Sequence, residues 1–222
     1  MTQEKHICMS EPDFSDILKA GVTRFRQHVF PMRRKLFEKL AKAQNPKALF
    51  LTCADSRVVP SLITNTGPGD LFVERNPGNL VPIYREEAVG VSASIEYAVA
   101  VLRVEHIIIC GHSDCGVVKG ILHPDKVTQL PAVARWMEFG KPARDALLKE
   151  FCCLPEAEQI PILTEFNVLN QIDNLYTHPS VLQAVKDDRL TIHGWVYHIE
   201  SGEVREYNAG SKRFETWPGA RS

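Results

Sequence analysis

Apolar residues recur at three- and four-residue intervals from Phe14 to Leu40, through Ile17, Leu18, Val22, Phe25, Val29, Leu36 and Phe37. The spacing predicts a helix from Glu11 to about Gln44, broken or kinked at Pro31. Its other face carries Lys19, Arg24, Arg26, Arg33, Arg34, Lys35, Lys39 and Lys42 and reads as solvated. The apolar stripe has no local partner, so it is available to a second subunit. After Asn45-Pro46 the period changes. Ala48–Leu51 is a short unbroken apolar run and Val104–Cys110 ends in one, Ile107–Cys110; both are predicted as strands buried on both faces, and Leu71–Arg75 predicts another after the turn signal Gly67-Pro68-Gly69-Asp70. Val58–Ile63 reads as a short helix or turn, and Asn76–Asn79 as a loop. The Ala- and Val-rich stretch Glu86–Arg103 predicts a largely buried helix feeding Val104–Cys110, the βαβ unit of a parallel sheet. Further helices are predicted at His112–Leu122, at Pro131–Glu150, at Glu156–His178 with an early interruption at Pro161, and from His178 to about Asp188. Arg189–Ile199 predicts a strand that Ser201-Gly202-Glu203 turns into a hairpin with Val204–Tyr207. The predicted class is α/β: a central, mainly parallel β-sheet flanked by helices, with an N-terminal helical arm (1–44) and a C-terminal β-hairpin. One domain is expected over 1–222, its core being 45–222.

With 222 residues, 44% of them hydrophobic, the chain is able to fill one sizeable core. Lys+Arg 26 against Asp+Glu 27 leaves a net charge of -1, which gives no reason to expect nucleic acid or an anionic membrane as partner. Met1–Ser10 has no basic-then-apolar leader, and no apolar run approaches the roughly eighteen residues that span a bilayer. A cytoplasmic protein acting on a small molecule is the expectation. Six cysteines in such a chain point to metal or buried thiols rather than disulfides. Cys110 reads as core, Cys8 as tail, and the vicinal Cys152-Cys153 as matching no zinc pattern.

The chemistry gathers in two stretches. Cys53-Ala54-Asp55-Ser56-Arg57 follows the first predicted strand, where open α/β sheets place their sites, and His112-Ser113-Asp114-Cys115-Gly116 follows the third. Cys53, His112 and Cys115 make a Cys2His set suited to a tetrahedral zinc with one position left for water. Asp55 is placed either to ligate the metal or to accept a hydrogen bond beside it, and Arg57 to fork onto Asp55 and keep it ionised. The competing structural reading has Asp55-Ser56 capping a helix and Arg57 on the surface. Residue types alone leave these alternatives open.

These motifs resemble the β-class carbonic anhydrases. Cys-x-Asp-Ser-Arg at Cys53–Arg57, His-Ser-x-Cys-Gly at His112–Gly116, Gly69-Asp70-Leu71-Phe72-Val73 with Arg75-Asn76, and Ile95-Glu96-Tyr97-Ala98-Val99 carry the resemblance, which extends from the arm to about Tyr207. It looks closest to the plant-like and cyanate-operon-associated branch. The resemblance implies one Zn2+ per chain on Cys53, His112 and Cys115, with Asp55 and Arg57 as the catalytic dyad. It implies a bicarbonate contact at Gln44 and a small carbon dioxide pocket at Phe72, Tyr97 and Gly116, Tyr97 being more often supplied across a dimer interface. The implied reaction is reversible hydration of carbon dioxide to bicarbonate and a proton through a zinc-bound hydroxide. The implied assembly is a dimer with exchanged arms or a higher oligomer.

The sequence departs from the family pattern at Pro77, where a small or β-branched apolar residue is usual in the pocket wall. Ala54 replaces a commoner serine. Phe50 and Thr52 stand where the bicarbonate-inhibited branch has tryptophan and glycine, so that branch's regulatory site is not expected. The competing functions are a hydrolase of a sulfur analogue such as carbonyl sulfide, a non-catalytic zinc module closed by Asp55, and a redox protein using Cys152-Cys153. His106, His123, His178, His193 and His198 are read as satisfied or surface histidines.

Overall fold

The structure, a computed structural model, describes residues 13–85 and 90–217. Contacts divide the chain between Gln44 and Asn45, and each part is treated by itself.

In the first part, α1 (Phe14–Arg24) leads through one widened π turn, Phe25–Val29, into the short α2 (Phe30–Met32), and α3 (Arg34–Leu40) follows a break at Arg33. The sequence predicts a helix broken or kinked at this point, and the cause is Pro31. Its ring excludes the carbonyl four residues back, so the preceding turn opens until the Phe30 N–H reaches the Phe25 carbonyl. The rings of Phe25, Phe30 and Phe37 then pack together, Phe30 stacking on Phe37 at 5.4 Å. No described residue of this part is buried.

The second part is built on a six-stranded sheet. Its strands are β1 (Ala48–Cys53), β2 (Leu71–Asn76), β3 (His106–His112), β4 (Thr191–Tyr197), β5 (Val204–Asn208) and β6 (Arg213–Thr216), in the order β2-β1-β3-β4-β5-β6. The first four are parallel and the last two antiparallel. From β1 the chain moves outward to β2 and then returns to the other side of β1 as β3. That reversal opens a crevice at the carboxyl ends of β1 and β3.

Leu49, Leu51, Ile107 and Ile109 face a core with Ile95, Val99, Val168 and Val181. Burying each stabilises by about 1.5–3 kcal/mol. The alternate positions Phe50, Ile108 and Cys110 pack with Trp195 and Tyr197 on the other face. There the Thr52 hydroxyl donates to the Cys110 carbonyl at 2.8 Å.

The helices of this part are α4 (Pro60–Ile63), α5 (Gly90–Glu96), α6 (Gly116–Leu122), α7 (Pro131–Met137), α8 (Lys141–Phe151), α9 (Glu156–Leu175) and α10 (Pro179–Lys186). Several bounds differ from the sequence expectation. Of the predicted helix Glu86–Arg103, residues 86–89 lie outside those described, and Tyr97–Val101 forms a π turn that Arg103 closes with a positive φ. The third strand starts at His106, where pairing with Ala48 begins, and it runs on to His112 because β4 continues opposite it to Tyr197. His112 therefore ends a strand instead of opening a helix.

The single helix expected over 131–150 breaks at Gly140. A Cβ there would lie 2.3 Å from Ile121 Cδ1, and Pro142 follows at once. Pro161 does not interrupt α9, which runs through it as its sixth residue and forgoes the one amide bond that proline cannot make. The strand β6, for which the sequence analysis made no prediction, extends the hairpin by pairing Phe214 with Tyr207.

Candidate metal centre

Cys53 is the last residue of β1 and His112 the last of β3, so strand order alone makes them neighbours. Cys115 is brought back by the loop between them and α6. Ser113 N–H still bonds the Tyr197 carbonyl, Asp114 takes a positive φ that Asp tolerates, and Cys115 caps the start of α6 in extended conformation. Cys53, His112 and Cys115 thus present one ligand atom each, all within 4.8 Å of one another and all buried.

The set fits a tetrahedral metal ion. Two thiolates at about 2.3 Å from zinc stand about 3.8 Å apart at the tetrahedral angle, and the two sulfurs here are 3.9 Å apart. His112 Nδ1 lies 2.8 Å from the Ser113 carbonyl. That contact makes Nδ1 the protonated nitrogen and leaves the Nε2 lone pair facing the sulfurs. Nε2 is buried and has no hydrogen-bond partner among the described residues, as expected of an atom reserved for a metal.

The electrostatics agree. The Cys115 thiol donates to Cys53, and with help from His112 and the Gly78 N–H against the opposing burial it holds the Cys53 thiol well below its ordinary range. Cys115, as the donor and itself buried, is raised well above the ordinary thiol range. Burial pulls the His112 imidazole down, but the Cys53 sulfur more than offsets it and leaves the group raised. A bound dication deprotonates both thiols. Cys110, by contrast, is pushed up to about 12 by burial and stays an inert core thiol.

Beside the cluster, Asp55 opens a tight turn by accepting the Arg57 backbone N–H at 3.0 Å. It caps no helix, since α4 begins only at Pro60. The Arg57 side chain forks onto the same carboxylate, Nε to Oδ1 at 2.9 Å and Nη2 to Oδ2 at 2.8 Å, and holds it well below the usual carboxylate range. Asp55 Oδ2 is 3.9 Å from His112 Nε2, so the carboxylate stands next to the ligand cluster while its oxygens are engaged by Arg57.

Residues that the sequence analysis left without a role complete the surround. Asp114 accepts from Arg57 Nη1 at 3.0 Å and pairs with Lys119. Arg75 donates to the Cys53 carbonyl at 3.2 Å and to the Asp55 carbonyl at 2.7 Å. The Gly78 N–H meets Cys53 Sγ at 3.3 Å. Gly78 has φ +80, and a Cβ there would lie 2.4 Å from Val117 Cγ1, so glycine is required twice over. Arg75 and Asp114 stand inside the motifs, where polar residues beside a ligand are the available signal.

The proposed pocket residues are distributed. Gly116 adjoins Cys115 at the first position of α6, and Pro77 adjoins Gly78, its carbonyl held by Trp136 Nε1 at 2.8 Å. Phe72 and Tyr97 pack on each other with ring centroids 6.0 Å apart. Phe72 pairs with Leu49, whereas Cys53 pairs with Asn76. Phe72 thus stands four residues, about 13 Å at 3.3 Å per residue, from the strand end that carries the cluster. Gln44 is the last residue of the first part. The histidines outside the cluster are mostly engaged elsewhere. His178 is buried against the Pro82 carbonyl at 3.0 Å, and His106 Nδ1 lies 3.1 Å from His193 Nε2, whose other nitrogen meets Glu206.

An open parallel sheet with a Cys-His-Cys cluster at its switch point defines a metal-binding α/β protein. Residues 48–204 match the family model described as carbonic anhydrase. A carbonic anhydrase of Pseudomonas aeruginosa is 49% identical over 194 residues, covering 87% of this chain and 88% of that protein. The solved structure of the β-carbonic anhydrase CcaA superposes with a TM-score of 0.89 at 38% identity, covering 91% of this chain and 99% of that one. Tetrameric β-carbonic anhydrases from Sordaria macrospora include a structure with TM-score 0.73 at 32% identity, covering 88% of this chain and 94% of that one. The chain belongs to the carbonic anhydrase family, in its β class.

Proposed function

We infer that this protein is a carbonate dehydratase that interconverts carbon dioxide with bicarbonate and a proton, using one zinc ion per chain. The observation that carries the reading is the convergence of Cys53 Sγ, His112 Nε2 and Cys115 Sγ beside an Asp55 already engaged by Arg57. We assign the three as zinc ligands and Asp55 with Arg57 as the catalytic dyad. When bound, zinc supplies Lewis acidity that lowers the pKa of water from about 15.7 toward about 7, which makes a nucleophile available at neutral pH.

The chain's own groups do the rest. Asp55, kept anionic by Arg57, only accepts hydrogen bonds, so it holds the proton of the attacking oxygen and turns its lone pair toward the substrate carbon. The engagement of both Asp55 oxygens by Arg57 favours an open fourth position over a site closed by Asp55. Gly116 and Pro77 flank the ligands and line the entry. Gln44, by its match to the family's bicarbonate-binding glutamine, donates to a product oxygen.

Phe72 and Tyr97 are assigned to a carbon dioxide pocket completed by a second copy of the chain. The distance of Phe72 along β2 from the cluster of its own chain, with Tyr97 packed on it, supports this, as do the exposed apolar residues Phe14, Ile17, Leu18 and Val22 of the arm and the tetrameric relatives. A dimer with exchanged arms is the proposed unit, with 1–44 as arm and 45–222 as core of one domain. Phe50 and Thr52 support placement in the plant-like and cyanate-operon-associated branch. No described helix is long and apolar enough to cross a membrane, and a cytoplasmic location is proposed.

The test is stopped-flow carbon dioxide hydration with zinc measured on the same sample. Fast hydration at one zinc per chain is expected. Full zinc without hydration between pH 7 and 9 would overturn the reading.

A further inference from the structure

Helix α9 should be apolar where it packs on the sheet, yet it turns three carboxamides inward. Asn167, Gln171 and Asn174 are all buried, at i, i+4 and i+7, one above another on a single face. Burying amides is costly unless each is hydrogen-bonded. Here the bonds go to one short segment, Gly78 to Val81, to each other and, from Gln171 Nε2, to the Phe139 carbonyl at 3.2 Å. Asn167 Nδ2 donates to the Gly78 carbonyl at 3.1 Å, and Gln171 Nε2 donates to Asn167 Oδ1 at 2.9 Å. Gln171 Oε1 accepts the Val81 N–H at 2.8 Å, while Asn174 Nδ2 donates to the Val81 carbonyl at 2.8 Å. Asn76 ties the same segment from its other side, accepting the Leu80 N–H at 2.8 Å and donating to the Leu80 carbonyl at 3.1 Å.

The residue of this segment that reaches the cluster is Gly78, whose N–H points at Cys53 Sγ from 3.3 Å. Gly78 lacks a Cβ and has φ +80, so its own preferences do not fix which way that N–H points. We propose that the α9 carboxamides, through Asn167, are positioning residues for the metal centre: they fix the Gly78 N–H on the Cys53 sulfur and so set the orientation and metal affinity of that ligand. Ladder, Gly78 and Cys53 form one unbroken series of contacts from α9 to the cluster. A network of this kind is rigid, and removing one member frees the rest. The inference rests on Cys53 being a metal ligand.

The experiment follows zinc release from the loaded protein to a chromophoric chelator, together with the sulfur-to-metal absorption of the cobalt-substituted form. Asn167→Leu removes the donor to Gly78, and Asn167→Ser is a smaller version of the same change. Asn170→Ala is the control, since Asn170 also bonds from α9 but to the Phe139 carbonyl at 2.7 Å, an acceptor it shares with Gln171, and its loss leaves the Asn167 donor to Gly78 in place. Zinc release is expected to accelerate about 10–100-fold in the Asn167 variants, with a shifted cobalt spectrum, while Asn170→Ala behaves as wild type. Folded Asn167 variants with wild-type release and spectrum overturn the proposal. Equal acceleration by Asn170→Ala also overturns it, because helix loosening would then be the cause. Failure of both Asn167 variants to fold overturns it too, by making the ladder a folding requirement. A Cys53→Ser variant that retains its zinc would instead remove the ligand assignment, and the inference with it.

Discussion

Arg57 closes onto Asp55 from only two residues away, its Nε and Nη2 meeting the two carboxylate oxygens at 2.9 and 2.8 Å. The third guanidinium nitrogen reaches Asp114 at 3.0 Å, so one side chain ties the loop after β1 to the loop after β3. Arg57→Ala should leave zinc bound, since Arg57 touches no ligand atom, while hydration slows by about 100-fold. Asp114→Ala should cost less, because the fork on Asp55 survives it. Steady-state hydration rates with zinc quantitation check both, and unchanged kinetics in Arg57→Ala would remove the dyad from the mechanism.

Cys115→Ser exchanges a soft ligand for a weak one in a buried site. Zinc should be lost on dialysis and activity with it. Metal content by atomic absorption decides the matter: a variant with one tightly held zinc and a near-normal rate would show that Cys115 is not a ligand.

Cys152 and Cys153 are exposed at the end of α8 with sulfurs 3.7 Å apart, and no hydrogen bond links them to the cluster. The double alanine variant should keep full hydration activity while the count of thiols accessible to a colorimetric reagent falls by two. Lost activity would revive a redox role for the pair.

His178 is lowered from its ordinary pKa by burial, which outweighs the opposing hydrogen bond to the Pro82 carbonyl. The unfolded chain therefore binds a proton at this site that the folded chain does not. Stability should be intact above about pH 6.5 and fall as pH drops below it. His178→Gln should flatten that slope between pH 7 and 5, as read from denaturant midpoints. An unchanged slope would show that another group controls acid stability.

Ile17, Leu18 and Val22 present apolar side chains on α1 without being buried. Replacing all three with Asp should lower the mass measured by sedimentation and reduce hydration, while far-UV circular dichroism stays close to wild type. An unchanged mass would mean that the arm is not the subunit contact.

Local pattern alone determined much of this protein. Unbroken apolar runs end at Leu51 and Cys110, which is enough to put Cys53 at a strand end and His112 just past one, and Asp55 and Arg57 meet because a two-residue turn spans them. Chain order hides the rest. Cys53 and Cys115 are 62 residues apart and come within 3.9 Å only because β1 and β3 are neighbours in the sheet. Arg57 finds Asp114 for the same reason. The break at Gly140 answers Ile121, a residue of another helix, and no periodicity within 131–150 records it. Asn167, Gln171 and Asn174 show the limit most clearly. Read locally they look like a solvated helix face, and only the rotation of α9 against the Gly78–Val81 segment turns them inward, because a buried amide is tolerated only where tertiary packing brings it a partner.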